Sequence, residues 1–461
     1  MRRSSGVRGV WLLPTGLVVA ALASGILAVV GPPPNGPFGV PLIVPVLLAA
    51  AFAARVLPGR IGAGIGLLAV VIAVAAAIRF LGADLVGDRS VVEVAVGLVQ
   101  FAGLGAAAYA AVRQLIARRS DAEGRSHDAS RPAQIIGLLG MCAIGAELLA
   151  AYDDSTGDPG AVAFALIFFG ALYGAPALLA RDLVRRCGWG WPSLLLLFAA
   201  LGTAQACLID QSMFSVDYQG YEGWQETRQA TLIPALGIGA TNAYNFIVGH
   251  VIYSFAAPVA LAEAWVPRRA RQPWLGPIGT VVAVLAYGGA AALILSDPES
   301  RSGTPPQLAV SAGMVAAFIA AAALIGRRRA SGSHRTTEFA GRLPVGPVFA
   351  IALLAAVIPA LSSEGWGGVL VSLAVTGGFG IAILVTARTR GWSLRHSAVV
   401  AFAFLLVRGL LAFTYFPLIG DVAPVPKYAH NTILILVVVA TGWLAVRRGA
   451  GDGRKEAAHG S

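Results

Sequence analysis

The sequence predicts an all-α, polytopic helical membrane protein with about fourteen transmembrane helices and both termini cytoplasmic. Three observations predict it. Hydrophobic residues fill 57% of the 461 positions and charged residues only 12%, against about a quarter charged in soluble domains; the mean hydropathy is +0.74. The apolar runs are continuous for about 20 residues, where barrel strands would alternate over about ten. Basic residues also sort to one side of the implied bilayer.

The first element is "MRRSSGVRGVWLLPTGLVVAALASGILAVVG", a basic start followed by an apolar run. That run exceeds the roughly 7–15 residues of a cleaved signal, so it reads as a retained helix near 10–30. Further apolar windows of about 19 residues lie near 41–57, 61–81, 91–115, 134–152, 161–182, 192–210, 240–264, 275–295, 307–326, 345–361, 367–387, 397–416 and 431–446. The spans 41–57 and 431–446 are short for a full crossing.

With the N-terminus inside, inner segments and helix ends hold 28 of the 34 Lys+Arg, while outer positions hold thirteen acids against eight inside. A miscounted span would invert this bias downstream, and no inversion occurs. The positive-inside rule therefore supports the map and places the chain in the plasma (inner) membrane. The whole of 1–461 reads as one integral domain ending in a flexible cytoplasmic tail, 449–461. The longest connection, 211–239, is too short for a core of its own. No internal repeat of the kind many transporters carry is visible.

Three separate cysteines (Cys142, Cys187, Cys207) form no CxxC pair, so neither zinc nor a disulfide framework is expected. No metal and no cofactor is called for. The net charge of +11 is almost wholly arginine, which fits a GC-rich, actinobacterial genome and does not imply nucleic acid. The expected partners are the lipid bilayer and a small-molecule or lipid substrate; the oligomeric state is unreadable.

Ionisable groups inside spans cost about 2.5–3.5 kcal/mol near a helix centre, which makes each a functional candidate. Glu147, Gln205, Asn245, His250 and Arg408 stand out. At about 1.5 Å per residue, Glu147, Gln205 and Asn245 lie roughly 7 Å from the outer helix ends, Arg408 about 12 Å and His250 about 15 Å. One outward-opening polar cavity would accommodate all five. Arg408 stays charged and needs an anion or water; Glu147 is the expected partner and Asp210 the second choice. His250 is followed one turn on by Ser254, a pairing that serves either as nucleophile and base or as a plain interhelical hydrogen bond. Asp153 and Asp154 form a candidate outer acidic site in "YDDSTGD", which is otherwise a solvated loop. Tyr218, Tyr221 and Trp224 read as an interfacial aromatic belt. "RDLVRR" reads as a topology determinant.

"LYGAPALLARDLVRRCGWGWPSLLLL", "GTAQACLIDQSMF" and "FIVGH" resemble uncharacterised bacterial multi-pass membrane proteins over about 140–265. The same region resembles the CAAX-protease and bacteriocin-processing family, whose members carry EExxxR, then FxxxH, then a third helix with His and Asn or Asp. Phe246 and His250 match FxxxH. The di-glutamate position falls near Gln205 and Ala206, no arginine follows at the motif's spacing, and no later span carries the third motif. An amide cannot take a proton from water as a carboxylate does, so the resemblance implies a degenerate, inactive member. Three functions remain: non-enzymatic transport or binding of a small molecule or lipid, which the polar groups favour; a degenerate intramembrane protease; and a polyprenyl-linked glycosyltransferase using Asp153 and Asp154.

Overall fold

A computed structural model describes residues 5–30, 47–48, 50–51, 54, 65–66, 69–70, 73, 99–100, 102–108, 110, 130–153, 155–330 and 343–449. Asp154, most of the expected spans 41–57, 61–81 and 91–115, and the tail beyond 449 lie outside the described residues. The chain divides into two compact units, 1–127 and 128–461.

In the first unit, helix α1 (Ser5–Val30) buries Leu13 and Leu17 against a core that includes Leu47 and Leu104. Gln100 donates to Ser24 Oγ at 2.8 Å, and Ser24 donates to its own helix at Ala20 O, 2.8 Å. Each polar side chain is thereby satisfied within an apolar core, as a low-dielectric setting demands.

The second unit opens with α2 (Ser130–Ala143), continued by a π turn, Ile144–Leu148. Among the described residues of this unit, eight helices are long and apolar enough to cross a membrane: α3 (Pro159–Arg186), α4 (Trp191–Ile209), α6 (Ala240–Trp265), α7 (Pro277–Ser296), α8 (Pro305–Arg328), α10 (Trp366–Gly391), α11 (Leu394–Leu411) and α12 (Pro424–Arg448). Between them lie α5 (Trp224–Ala230) and the shorter apolar α9 (Val345–Ala360). The 211–239 connection holds a two-residue hairpin, Leu232–Ile233 against Ile238–Gly239.

Local chemistry sets several of these starts. Asp158 caps α3, its carboxylate accepting from Ala161 N at 2.7 Å, with Pro159 at the first position where no donor is lost. Pro192, Pro277, Pro305 and Pro424 open other helices in the same way. The last span differs from the expected 431–446: α12 runs 25 residues from Pro424. Its first turns carry Lys427, His430 and Asn431, which pulled that window's hydropathy down although all three are buried.

α11 packs against α6, α9 and α12, and α8 lies along α4. The helices α3, α4, α6 and α11 bury half or more of their apolar windows, whereas α7, α8 and α10 leave most of theirs uncovered. A helix apolar on its outward face suits hydrocarbon rather than water. Close approach needs small residues. A Cβ on Gly174 would meet Leu139 Cα at 2.8 Å, and one on Gly145 would run into Tyr253 O.

Candidate binding cavity

Four helices change pitch at one level of the second unit. π turns occupy Ile144–Leu148 after α2, Gly170–Gly174 in α3, Gln205–Ile209 at the end of α4, and Tyr244–Val248 with His250–Ala256 in α6. Such turns favour functional sites because they push a side chain or carbonyl out of regular register. Residues of the turns after α2 and in α3 and α6, with Asp210 just after the turn in α4, line a cavity of about 430 Å³. Gly145 and Gly202 hold α6 from both sides: a Cβ on Gly202 would stand 2.9 Å from Ile247 O and 3.3 Å from His250 Cβ.

Of the residues expected to share a cavity, Glu147, Asn245, His250, Ser254 and Arg408 line it, and Asp210 joins them. Gln205 does not: it is buried behind the wall, against the Asp210 carboxylate. The π turn brings residues five apart to one side, so Gln205 lies against Asp210, and it is Asp210 that reaches the lining.

The expected Glu147–Arg408 pair does not form, and neither does Asp210–Arg408; the ion pairs among the described residues lie elsewhere. Glu147 instead accepts from Tyr152 OH at 2.5 Å and from Tyr173 OH at 2.6 Å. Arg408 Nη2 donates to Ala146 O at 3.2 Å, and its guanidinium lies over the Tyr253 ring at 4.5 Å. That carbonyl belongs to the closing turn of α2, where backbone oxygens lack intrahelical partners and the helix dipole is negative. His430 Nε2 meets Leu148 O at 2.9 Å, and Tyr415 OH donates to Ala150 O. Three side chains from α11, its following loop and α12 thus finish the end of α2.

His250 is buried, with the Tyr173 ring tilted beside it at 5.1 Å between centroids. Its Nδ1 lies 2.9 Å from Ser254 Oγ. Its Nε2 has no partner, and neither has Arg408 Nε. Glu147 is occupied by phenols, so the carboxylate that a protease reading requires beside the imidazole is bonded elsewhere. Asp153 closes its own turn, accepting from Ser155 N at 3.0 Å and from Ser155 Oγ. Among the described residues no group of three or more His, Cys, Asp or Glu side chains is arranged to hold a metal ion.

No protein-family model, no curated protein and no solved structure matches the chain.

Sequence reasoning missed the tyrosines. Seven of the ten line the cavity: Tyr152, Tyr173, Tyr218, Tyr221, Tyr244, Tyr253 and Tyr415. The signal was their density between 152 and 253, but each scored as apolar or interfacial. The belt reading of the loop is replaced by a packed cluster. Trp224 is buried, 4.9 Å from Tyr218 and edge-on to Phe246 at 5.2 Å, and donates through Nε1 to Ser215 O at 3.1 Å. The loop packs as a compact cover, its Glu222 N bonded to Leu418 O at 2.9 Å.

"RDLVRR" is likewise more than a topology signal. Arg181, fully buried, donates to Glu263 at 3.0 Å, Asp182 at 2.9 Å, Gln272 O at 2.7 Å and Ala270 O at 2.8 Å, and stacks on Trp274 at 3.7 Å. Arg185 grips Glu263 with both carboxylate oxygens at 2.8 Å. Asp182 takes Trp274 N at 2.9 Å and Leu275 N at 2.6 Å. Every group in this knot is satisfied, and it ties α3 to α6.

Proposed function

We propose that this chain is a multi-pass inner-membrane protein of about fourteen spans with both termini cytoplasmic. It binds or transports a small molecule or lipid headgroup through the cavity around His250 and Arg408. The observation that carries this reading is the wall itself: five of the six polar candidates from α2, α6 and α11 face one cavity of about 430 Å³. That volume suits a small organic ligand. Aromatic faces supply apolar contact there, and a few polar groups supply orientation.

The protease and glycosyltransferase readings lack comparable support. Glu147 is held by two phenols, and Asp153 is spent on a local turn. The test is a small-molecule stabilisation screen on the purified full chain, repeated with Ala360→Trp. Ala360 is exposed and borders the cavity, so the indole fills space rather than a packed core. Compounds that stabilise the native chain are expected to lose their effect in the variant. Stabilisation that survives in Ala360→Trp would remove the cavity from the function.

A further inference from the structure

Two residues that line the cavity each carry a buried nitrogen with no hydrogen-bond partner. Two of the three lining carboxylates, Glu147 and Asp210, are occupied, and the third, Glu364, accepts from Thr227 Oγ at 2.7 Å. His250 Nε2 and Arg408 Nε are buried and unbonded. Glu147 accepts at both oxygens, and Asp210 Oδ1 accepts from Ser212 N at 2.9 Å and Ser212 Oγ at 2.8 Å. An unmade hydrogen bond on a buried charged donor is expensive. The residual demand of the cavity is therefore for an acceptor, and a negatively charged one best answers a guanidinium.

We infer that the cavity recognises an anionic oxyacid group, a carboxylate or a phosphate ester, between Arg408 and His250. This rests on the cavity being a binding site, and it names the chemistry that site selects. Seven tyrosines and the nearby acids argue at first for a cationic ligand, since aromatic faces attract cations. Two facts decide against it. The face of Tyr253 already carries the Arg408 guanidinium, and the acids are bonded by hydroxyls and an amide. Only part of the Arg408 charge is met, by one carbonyl of a helix end worth about half an elementary charge. Ser254 Oγ lies 2.9 Å from Nδ1, and in the tautomer in which the hydroxyl donates, the hydrogen of His250 is on Nε2 and available to the same ligand. The tyrosine rings, Tyr221 and Tyr415 among them, receive the ligand's apolar part. A monoanion fits best, because Glu147 and Asp210 repel a second negative charge.

Two sources supply such a group: a free organic acid or an anionic lipid headgroup. The experiment uses the full chain in a neutral detergent and measures dissociation constants for phenylbutyrate, its neutral amide, short-chain phosphatidylglycerol and short-chain phosphatidylcholine. One anion is expected to bind at least about tenfold tighter than its neutral or zwitterionic counterpart, the gain of one charge-assisted hydrogen bond. Preference for phenylbutyrate assigns a free acid, and preference for phosphatidylglycerol assigns a headgroup. Arg408→Gln is expected to erase the preference. Because Arg408 also finishes α2, His250→Phe is the companion variant; it keeps the ring against Tyr173 and is expected to reduce the preference severalfold. Equal binding of anion and counterpart, no binding of either anion at millimolar concentration, or preference retained in both variants overturns the inference. Equal binding that Ala360→Trp abolishes leaves the cavity as a binding site and removes only its anion selectivity. Anion binding untouched by Ala360→Trp removes both.

Discussion

Tyr173 donates its phenolic hydrogen to Glu147 Oε1 over 2.6 Å, joining the π turn of α3 to the one that ends α2. The bond replaces the ion pair that sequence position alone offered Glu147. Interhelical hydrogen bonds in membranes average well under 2 kcal/mol, because the unfolded chain also finds partners there. Tyr173→Phe is accordingly expected to cost about 1 kcal/mol, read as a lowered Tm in detergent. Combined with Glu147→Gln, the loss should be less than additive, since the two changes remove parts of one network. Strict additivity would show that the bond carries no coupling.

Gly145, packed against α6, and Gly249, on α6 at the cavity, should respond oppositely to alanine. A Cβ at Gly145 would enter the Tyr253 carbonyl, whereas one at Gly249 meets nothing within 4 Å. Gly145→Ala is expected to destabilise by about 1–3 kcal/mol through overpacking. Gly249→Ala should be neutral or stabilising by up to about 1 kcal/mol from helix propensity. Thermal unfolding of the two variants side by side decides it; equal effects would contradict the packing described.

Glu263 holds two arginines, Arg181 and Arg185, both well buried. Glu263→Ala strands both charges, and breaking such a pair costs about 3–5 kcal/mol. The expected outcome is loss of folded protein from membranes, measured by the monodisperse fraction after extraction. Normal yield and Tm would show that the other partners of Arg181 suffice.

Burial pushes the Tyr221 phenol up to about 12 from an ordinary 10.0, helped by Tyr415 and opposed by Arg408. The folded chain therefore keeps a proton that the unfolded chain releases first. Stability from this group is full below about pH 10 and falls as pH rises towards 12. Tyr221→Phe should make the decline shallower, while Tyr218, raised by burial as well, sustains the rest. Chemical unfolding at stepped alkaline pH tests this; identical slopes for both chains would rule it out.

The ten windows from 134 onward each matched a helix because hydropathy reports transfer into an apolar phase, a property of composition that survives any rotation of the helix. The cavity was legible to the same extent: depth along a span follows from residue count, so Glu147, Asn245, His250 and Arg408 could be placed at compatible levels. Azimuth is a different quantity. Whether Gln205 or Asp210 faces inward depends on the pitch of one turn, which no periodicity in "GTAQACLID" reveals. The phenols of Tyr152 and Tyr173 were invisible as partners for Glu147 because a tyrosine in an apolar run scores by its ring, not its hydroxyl. The knot around Arg181 was invisible for the converse reason: charge counting assigns a side of the membrane but no distance.

Each π turn holds one residue more than regular α geometry allots to that arc. Above and below the cavity level, the helices that carry such a turn within their length are thus two rods laid end to end with a slip between them. Near the slip, stripes that run on one face below continue on a different face above. A sequence comparison over these helices must admit single-residue gaps in the middle of transmembrane segments, where such gaps are usually forbidden.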